Sequence, residues 1–211
     1  MIGATILAAE SCLRVGVGSV KIICTKETLP ILSQKFPSAL KIEINNISFL
    51  KSFLKKESKT TNVALVGPGA GKSSKTMKFT EEILKRIKYV ILDADALNSF
   101  ENKTKKLLKY LDKNKIITPH QGEFHRLFPL IRRELNNKEK VLKFLNLSKS
   151  NILLKGNTSV IGSSKNIVVN THTSNELAVI GSGDVLAGII ASLVGDKKMT
   201  MNEAASAATW L

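Results

Sequence analysis

The chain has 211 residues, enough for one well-buried domain or two small ones, and its 43% hydrophobic and 23% charged content excludes a disordered or fibrous protein. With 32 Lys and Arg against 17 Asp and Glu, the formal charge is +15, which suits an anionic partner. The basic residues are scattered over polar helix faces and aromatics make up only 5%, so the charge reads as a solvated lysine surface and no nucleic-acid groove is expected.

Residues 2–17 have helical spacing with small residues on one side, and 19–24 have a strand pattern. Cys12 lies in the first and Cys24 in the second; they fit no metal spacing, and buried free thiols are expected. Residues 29–36 predict a short helix interrupted by Pro37, residues 41–44 a short strand, and residues 47–56 an amphipathic helix with Ile47, Leu50 and Leu54 on one face. An apolar strand at 62–66 runs into Gly67-Pro-Gly-Ala-Gly71, followed by a helix at 72–88. A strand at 89–92 enters Asp93-Ala-Asp-Ala-Leu-Asn98, one at 115–117 enters Thr118-Pro-His-Gln-Gly-Glu123, and one at 151–154 enters Lys155-Gly156. Residues 159–161 and 167–170 suggest a hairpin around Gly162, and an apolar helix runs from the loop at Gly181 to about Val194. Short apolar strands alternating with helices predict an α/β fold with a parallel sheet covered on both faces. The motif residues recur just after strands, at the carboxyl ends where such sheets bind ligands. No repeat, linker or low-complexity stretch interrupts the pattern, and no apolar run reaches the length of a membrane span. Met1 to Ala9 is followed at once by Glu10 and Arg14 with no basic leader, so the default compartment is the cytoplasm.

The most informative stretch is Gly181-Ser-Gly-Asp-Val-Leu-Ala-Gly188. Its glycines permit a tight turn and close approach of backbone to a ligand, and the helix start offers unpartnered N–H groups and partial positive charge to an anion such as phosphate. Asp184 in that loop has two readings: a base that takes a proton from a hydroxyl attacking the phosphate, or a simple helix cap. In the first, the Gly181–Gly183 amides stabilise developing charge.

The loop Val66-Gly-Pro-Gly-Ala-Gly-Lys-Ser73 looks like a phosphate-binding P-loop, but that motif places four residues between its first glycine and the Gly-Lys pair, and the required glycine falls on Val66. Nor is it a dinucleotide Gly-x-Gly-x-x-Gly fingerprint. What remains is a glycine turn that either brings backbone close to a ligand or serves packing.

In order along the chain, Gly67-Pro-Gly-Ala-Gly71, Asp93-Ala-Asp-Ala-Leu-Asn98, Thr118-Pro-His-Gln-Gly-Glu-Phe124, Leu153-Leu-Lys-Gly156 and Gly181-Ser-Gly-Asp-Val-Leu-Ala-Gly188 resemble the NAD(P)H-hydrate dehydratases. Gly3-Ala-Thr-Ile-Leu-Ala-Ala9 and Leu13-Arg-Val-Gly-Val-Gly18 look like that family's first helix, so the resemblance covers essentially the whole chain. It implies a ribokinase-like three-layer α/β sandwich with a mostly parallel sheet. It also implies a hydro-lyase that repairs hydrated NADH and NADPH, using ADP or ATP as co-substrate with Mg²⁺. Asp184 would deprotonate the C6 hydroxyl of the hydrated ring, with Gly181, Ser182 and Gly183 around the transferred phosphoryl group. Lys155, Gly156, Asn157, Thr158 and Ser159 match the adenine-nucleotide segment. Ala4, Gly69, Gly71 and His120 match positions that contact the hydrated dinucleotide.

His120 also reads as a helix-start histidine satisfied by local backbone. Asp95 and Asn98 would orient phosphate or metal, or cap the short helix that follows the strand. Glu123 would be a helix-dipole partner, and Asn175 joins these as a supporting residue. No metal ligand is assigned. The resemblance further implies a homo-oligomer, a tetramer in relatives, and an epimerase domain or partner; ADP is the expected nucleotide.

Departures from the family pattern keep two other readings open, a ribokinase-like vitamin-precursor kinase and a catalytically weakened nucleotide-binding relic. Ala178-Val179-Ile180 replaces the family's Ala-Thr-Gly or Ala-Thr-Ala, losing a hydroxyl whose bond to a charged group is worth roughly 1.5–3 kcal/mol and adding Ile180 beside the anion hole. The chain begins at the family's first helix and stops at Trp210-Leu211 inside an Ala-rich helix, which reads as one domain, 1–211, lacking its first strand and its C-terminal helix end.

Overall fold

The computed structural model of the chain describes residues 1–172 and 177–211. Asn175 therefore lies outside the described residues. The elements, in chain order, are α1 (Ile2–Val15), β1 (Lys21–Cys24), α2 (Leu29–Lys35), β2 (Leu40–Glu43), α3 (Ile47–Glu57), β3 (Val63–Val66), α4 (Ser74–Arg86), β4 (Tyr89–Leu92), α5 (Ala94–Asn98), α6 (Thr104–Leu108), β5 (Lys115–Ile117), α7 (Gln121–Leu127), α8 (Asn137–Leu145), β6 (Asn151–Leu154), β7 (Ser159–Gly162), β8 (Ile167–Asn170), α9 (Ser182–Gly195) and α10 (Met201–Trp210).

Six strands form the central sheet in the order β3-β4-β5-β6-β7-β8. The first four are parallel, and β7 and β8 are added antiparallel. The strands read as continuous apolar runs because both faces are buried, and the pleat sends alternate residues to opposite layers. Val90 and Leu92 of β4, with Ile117 of β5 and Ile152 and Leu154 of β6, pack beneath α3, α4, α5, α7 and α8. Ile91, Ile116 and Leu153, between them in sequence, pack beneath α1, α9 and α10. This is the expected sandwich of helices on both faces of a mostly parallel sheet.

The strand pattern alone does not show that β1 and β2 stand apart. They form a separate two-stranded parallel sheet, with Ile22 and Cys24 in a small third cluster against Ala9, Leu32, Phe36 and Ala39. Local capping moves two helix ends from their expected places. Gly16, at φ 112°, closes α1 at Val15, where a left-handed residue is needed. Ser73 caps α4, its hydroxyl accepting from the Thr76 N–H, so Lys72 stays in the preceding loop. Both cysteines are free and buried, and burial pushes the Cys12 thiol up to about 11.

α1 and α9 cross at Gly188. A Cβ there would lie 1.9 Å from Ser11 Oγ and 2.3 Å from the Ala8 carbonyl oxygen, and a backbone carbonyl has little room to retreat. Gly188→Ala therefore overpacks the crossing and lowers stability by about 1–3 kcal/mol in urea denaturation. Gly3→Ala, on α1, where a Cβ would meet no described residue within 4 Å, does not lower it.

Candidate active site

β3, β4, β5 and β6 are consecutive parallel neighbours, so the loops at their carboxyl ends lie side by side across three strand gaps, about 15 Å. Each loop brings one quoted motif. Asp93 follows β4 and is 2% exposed. Its Oδ1 accepts from Lys155 Nζ at 2.7 Å and from Thr118 Oγ1 at 2.9 Å, which cross-links the ends of β4, β5 and β6. Lys155 Nζ also lies 3.3 Å from where a Cβ on Gly183 would sit, so the same ammonium reaches the start of α9.

Asp184 is the third residue of α9, half-buried, behind Gly181 at φ 95°. Burial raises its pKa first; the negative charges of Asp93 and Asp95 raise it further, and Lys155 opposes them. The capping reading does not hold: Gly181 is the N-cap, and no hydrogen bond ties the Asp184 carboxylate to a described residue. The Ser182 hydroxyl is bound within the loop, donating to the Val179 carbonyl at 2.9 Å. Of the first-turn N–H groups, that of Ser182 turns to the Val179 carbonyl at 3.3 Å, while those of Gly183 and Asp184 have no intrahelical acceptor and are offered to an anion. Ile180, the residue before Gly181, is 98% exposed.

The glycine turn after β3 divides its uses. A Cβ on Gly67 would lie 1.7 Å from the Asp93 carbonyl oxygen, and one on Gly69 2.2 Å from the Met1 carbonyl oxygen and 2.7 Å from Thr5 Oγ1. These two let the loop pack on β4's end and on α1, where Ala4 sits; Thr5 Oγ1 donates to the Pro68 carbonyl. A Cβ on Gly71, at φ 75°, would meet no described residue within 4 Å, and the Gly71 N–H donates to Asp95 Oδ2 at 2.8 Å. Between the two aspartates Ala94 holds φ 46°, a left-handed strain of about 1–3 kcal/mol for a residue with a side chain.

His120 is the N-cap of α7. Its Nδ1 accepts from the Gly122 N–H at 3.0 Å while its own N–H donates to Glu123 Oε2 at 3.0 Å. The locally satisfied histidine is thus what forms at Nδ1; the side chain is 56% exposed, and Nε2, 3.7 Å from Glu123 Oε2, is the atom left for a ligand. Glu123 is more than a dipole partner: it is buried, closes this capping box, and its Oε1 lies 3.5 Å from Asn98 Nδ2. Asn98 Oδ1 in turn accepts from Arg126 Nη2 at 2.8 Å. Beside Asn98 opens a cleft of about 340 Å³ lined by Lys72, Ser73, Ser74, Ser99 and Glu101. In the segment after β6, the Lys155 N–H donates to the Pro119 carbonyl at 2.9 Å, Gly156, Asn157 and Thr158 are exposed, and Ser159 Oγ donates to the Gly156 carbonyl.

Asp93, Thr118 and Arg126 are the residues that motif reading left without a role. Asp93 stood in a quoted motif as the first residue after an apolar strand, a position where a buried carboxylate requires partners. Among the described residues, no three His, Cys, Asp or Glu side chains gather to enclose a metal ion.

The profile of one protein family, NAD(P)H-hydrate dehydratase, matches residues 1–211. The chain belongs to the NAD(P)H-hydrate dehydratase family. It is 33% identical over 219 residues to the ADP-dependent (S)-NAD(P)H-hydrate dehydratase of Neisseria meningitidis, covering 100% of this chain and 71% of that one. It is 30% identical over 203 residues to the bifunctional NAD(P)H-hydrate repair enzyme Nnr of Dictyoglomus turgidum, covering 90% of this chain and spanning 38% of that protein's length. The structure of the Bacillus subtilis ADP/ATP-dependent NAD(P)H-hydrate dehydratase, co-crystallised with ATP/Mg²⁺ and soaked with CoA, shares the fold with a TM-score of 0.75 at 23% identity over 100% of this chain and 75% of that one. The fold is the ribokinase-like one expected from the resemblance. No helix among the described residues of this family member is long and apolar enough to cross a membrane.

The raised pKa of Asp184 carries a stability consequence with a definite sign. The folded state holds that proton more tightly than the unfolded chain, whose carboxyl titrates near 3.8, so the ionised carboxylate opposes folding above its folded pKa and not below the unfolded one. Asp184→Asn accordingly raises the midpoint of thermal unfolding at pH 7, and the gain shrinks to nothing as the pH falls toward 3.8 and below.

Proposed function

We propose that residues 1–211 form one catalytic domain that dehydrates the S epimer of hydrated NADH and NADPH with ADP as phosphoryl donor, releasing AMP and phosphate. The observation that carries this reading is Asp184. It is a carboxylate made more basic by burial and by Asp93, with no hydrogen bond from a described residue, in the first turn of a glycine-opened helix. That combination is a general base placed next to an anion hole.

Asp184 takes the proton of the C6 hydroxyl. The freed oxygen attacks the terminal phosphorus of the nucleotide, the bridging P–O bond breaks, and AMP leaves. Phosphate is then expelled from C6 with loss of a proton from C5, restoring the ring double bond. Hydroxide is a poor leaving group and phosphate a good one, which is the reason for consuming a nucleotide. The N–H groups of Gly181, Ser182 and Gly183 and the N-terminus of α9 hold the phosphoryl group, with Lys155 beside them. Lys155 to Ser159 line the nucleotide; Ala4, Gly69, Gly71 and Nε2 of His120 face the hydrated dinucleotide. Asp95, Asn98, Glu123 and Asn175 support them.

The donor set fits Mg²⁺. One oxygen of Asp93 and one of Asp95 are engaged by protein donors, which leaves the remaining carboxylate oxygens, and Mg²⁺ is characteristically held by one or two carboxylates plus phosphate oxygens and water. Bound there, the cation would withdraw charge from the nucleotide phosphates. We also carry over from the family a cytoplasmic location, a homo-oligomer, a tetramer in relatives, and an epimerase domain or partner.

The test is recovery of NADH absorbance from purified hydrated NADH. Recovery requires ADP or ATP with Mg²⁺, and Asp184→Asn reduces it about 10²–10⁴-fold, the usual contribution of a general base. Recovery that persists in Asp184→Asn removes Asp184 from the mechanism, and a stable phosphorylated product in place of NADH identifies a kinase.

A further inference from the structure

Behind the nucleotide segment runs a line of side chains that this mechanism does not use. Lys140, on α8, is 5% exposed and makes no ion pair among the described residues; its ammonium donates to Gln121 Oε1 at 3.0 Å. Gln121 Nε2 donates to Asn137 Oδ1. Asn137 Nδ2 donates to the Thr158 carbonyl at 2.7 Å. A Cβ on Gly156 would lie 3.1 Å from Asn137 Nδ2 and 3.8 Å from Gln121 Nε2, so the loop rests directly on these amides.

The direction of this line is set at one end. An ammonium has three donors and no acceptor, so Gln121 must turn its oxygen to Lys140 and its NH₂ away. Asn137 must then present its oxygen to Gln121 and its NH₂ to Thr158. Buried lysines are ordinarily paired with a carboxylate. His125, close by on α7, is no counter-charge, since a histidine is neutral or cationic; burial first, then the Lys140 and Arg133 charges, lower its pKa, with Glu134 opposing. The buried positive charge thus orients every donor in the line toward the loop, and aligned hydrogen bonds of this kind strengthen one another.

We infer that Lys140, Gln121 and Asn137 are positioning residues for the nucleotide, a relay that holds the Thr158 carbonyl inward and presents the 156–158 loop in one conformation. The inference rests on the reading of residues 155–159 as the nucleotide segment. Because a peptide is planar and trans, fixing that carbonyl also fixes the opposite direction of the next N–H. Gln121 directly follows His120, so the relay also ties the nucleotide loop to the loop assigned to the hydrated dinucleotide. The backbone repeats the connection, since His120 and Lys155 form a parallel bridge.

Gln121→Glu separates positioning from packing. The substitution keeps the shape and gives the buried ammonium a counter-charge, but it cannot donate to Asn137. Asn137 then turns its NH₂ toward the new carboxylate and faces Thr158 with an oxygen. The expected result, by titration calorimetry with ADP and Mg²⁺, is a Kd about tenfold higher, the loss of one such hydrogen bond, with the unfolding midpoint unchanged or raised. Asn137→Asp, which replaces the donor facing Thr158, weakens ADP to a similar extent and decides the matter where Gln121→Glu does not fold. An unchanged Kd in both folded variants, beside a parent that binds ADP, overturns the relay alone. A parent that does not bind ADP overturns the nucleotide reading and the relay with it.

Discussion

The carboxyl edge of the sheet depends on one ammonium. Lys155 Nζ binds Asp93 at the end of β4, while its own backbone hangs from Pro119 after β5, and its head lies against Gly183 at the start of α9. Asp93 is almost fully buried, and an ionised carboxylate in that position is tolerable only when paired and hydrogen-bonded, which Lys155 and Thr118 together accomplish. The pair therefore fixes three strand ends and one helix start relative to one another. It also sets the chemistry of Asp184, which Asp93 makes more basic and Lys155 restrains. A base near two other carboxylates stays useful at neutral pH because one cation offsets part of their field.

Backbone geometry permits this crowding. Gly67 lies so close to the Asp93 carbonyl that any side chain is excluded, and Gly188 lets α9 lie directly on α1. Ala94 keeps a left-handed conformation between Asp93 and Asp95, so one carboxylate enters the core while the other caps the Gly71 N–H. Strain of this kind persists where surrounding contacts over-determine it, and such positions cluster at functional sites.

Most of the architecture was legible because its signals are local. Apolar runs bounded by glycine, proline or aspartate marked the parallel strands of the central sheet, Gly162 marked the hairpin of its last two strands, and the Gly-Ser-Gly-Asp loop marked the start of α9. What sequence did not show depends on distant neighbours. Nothing in 21–24 or 40–43 says that, among the described residues, these strands pair only with each other. Gly67, Gly69 and Gly71 are alike in sequence, yet two fill packing contacts and one faces open space. Asp93 gained its importance from residues 25 and 62 positions away. The short lysine-rich α6 had little pattern to read, whereas α8 carried a readable signal in the Asn136 and Glu139 capping box.

Lys155 restrains the basicity of Asp184 against the neighbouring carboxylates. The most direct test is the pH dependence of kcat in Lys155→Met at saturating ADP, where weakened nucleotide binding no longer enters. Loss of the ammonium removes its own lowering effect while Thr118 still donates to Asp93, so the acid limb of the profile moves to higher pH than in the parent. An acid limb that stays in place, or moves to lower pH, shows that the Lys155 ammonium does not act on Asp184.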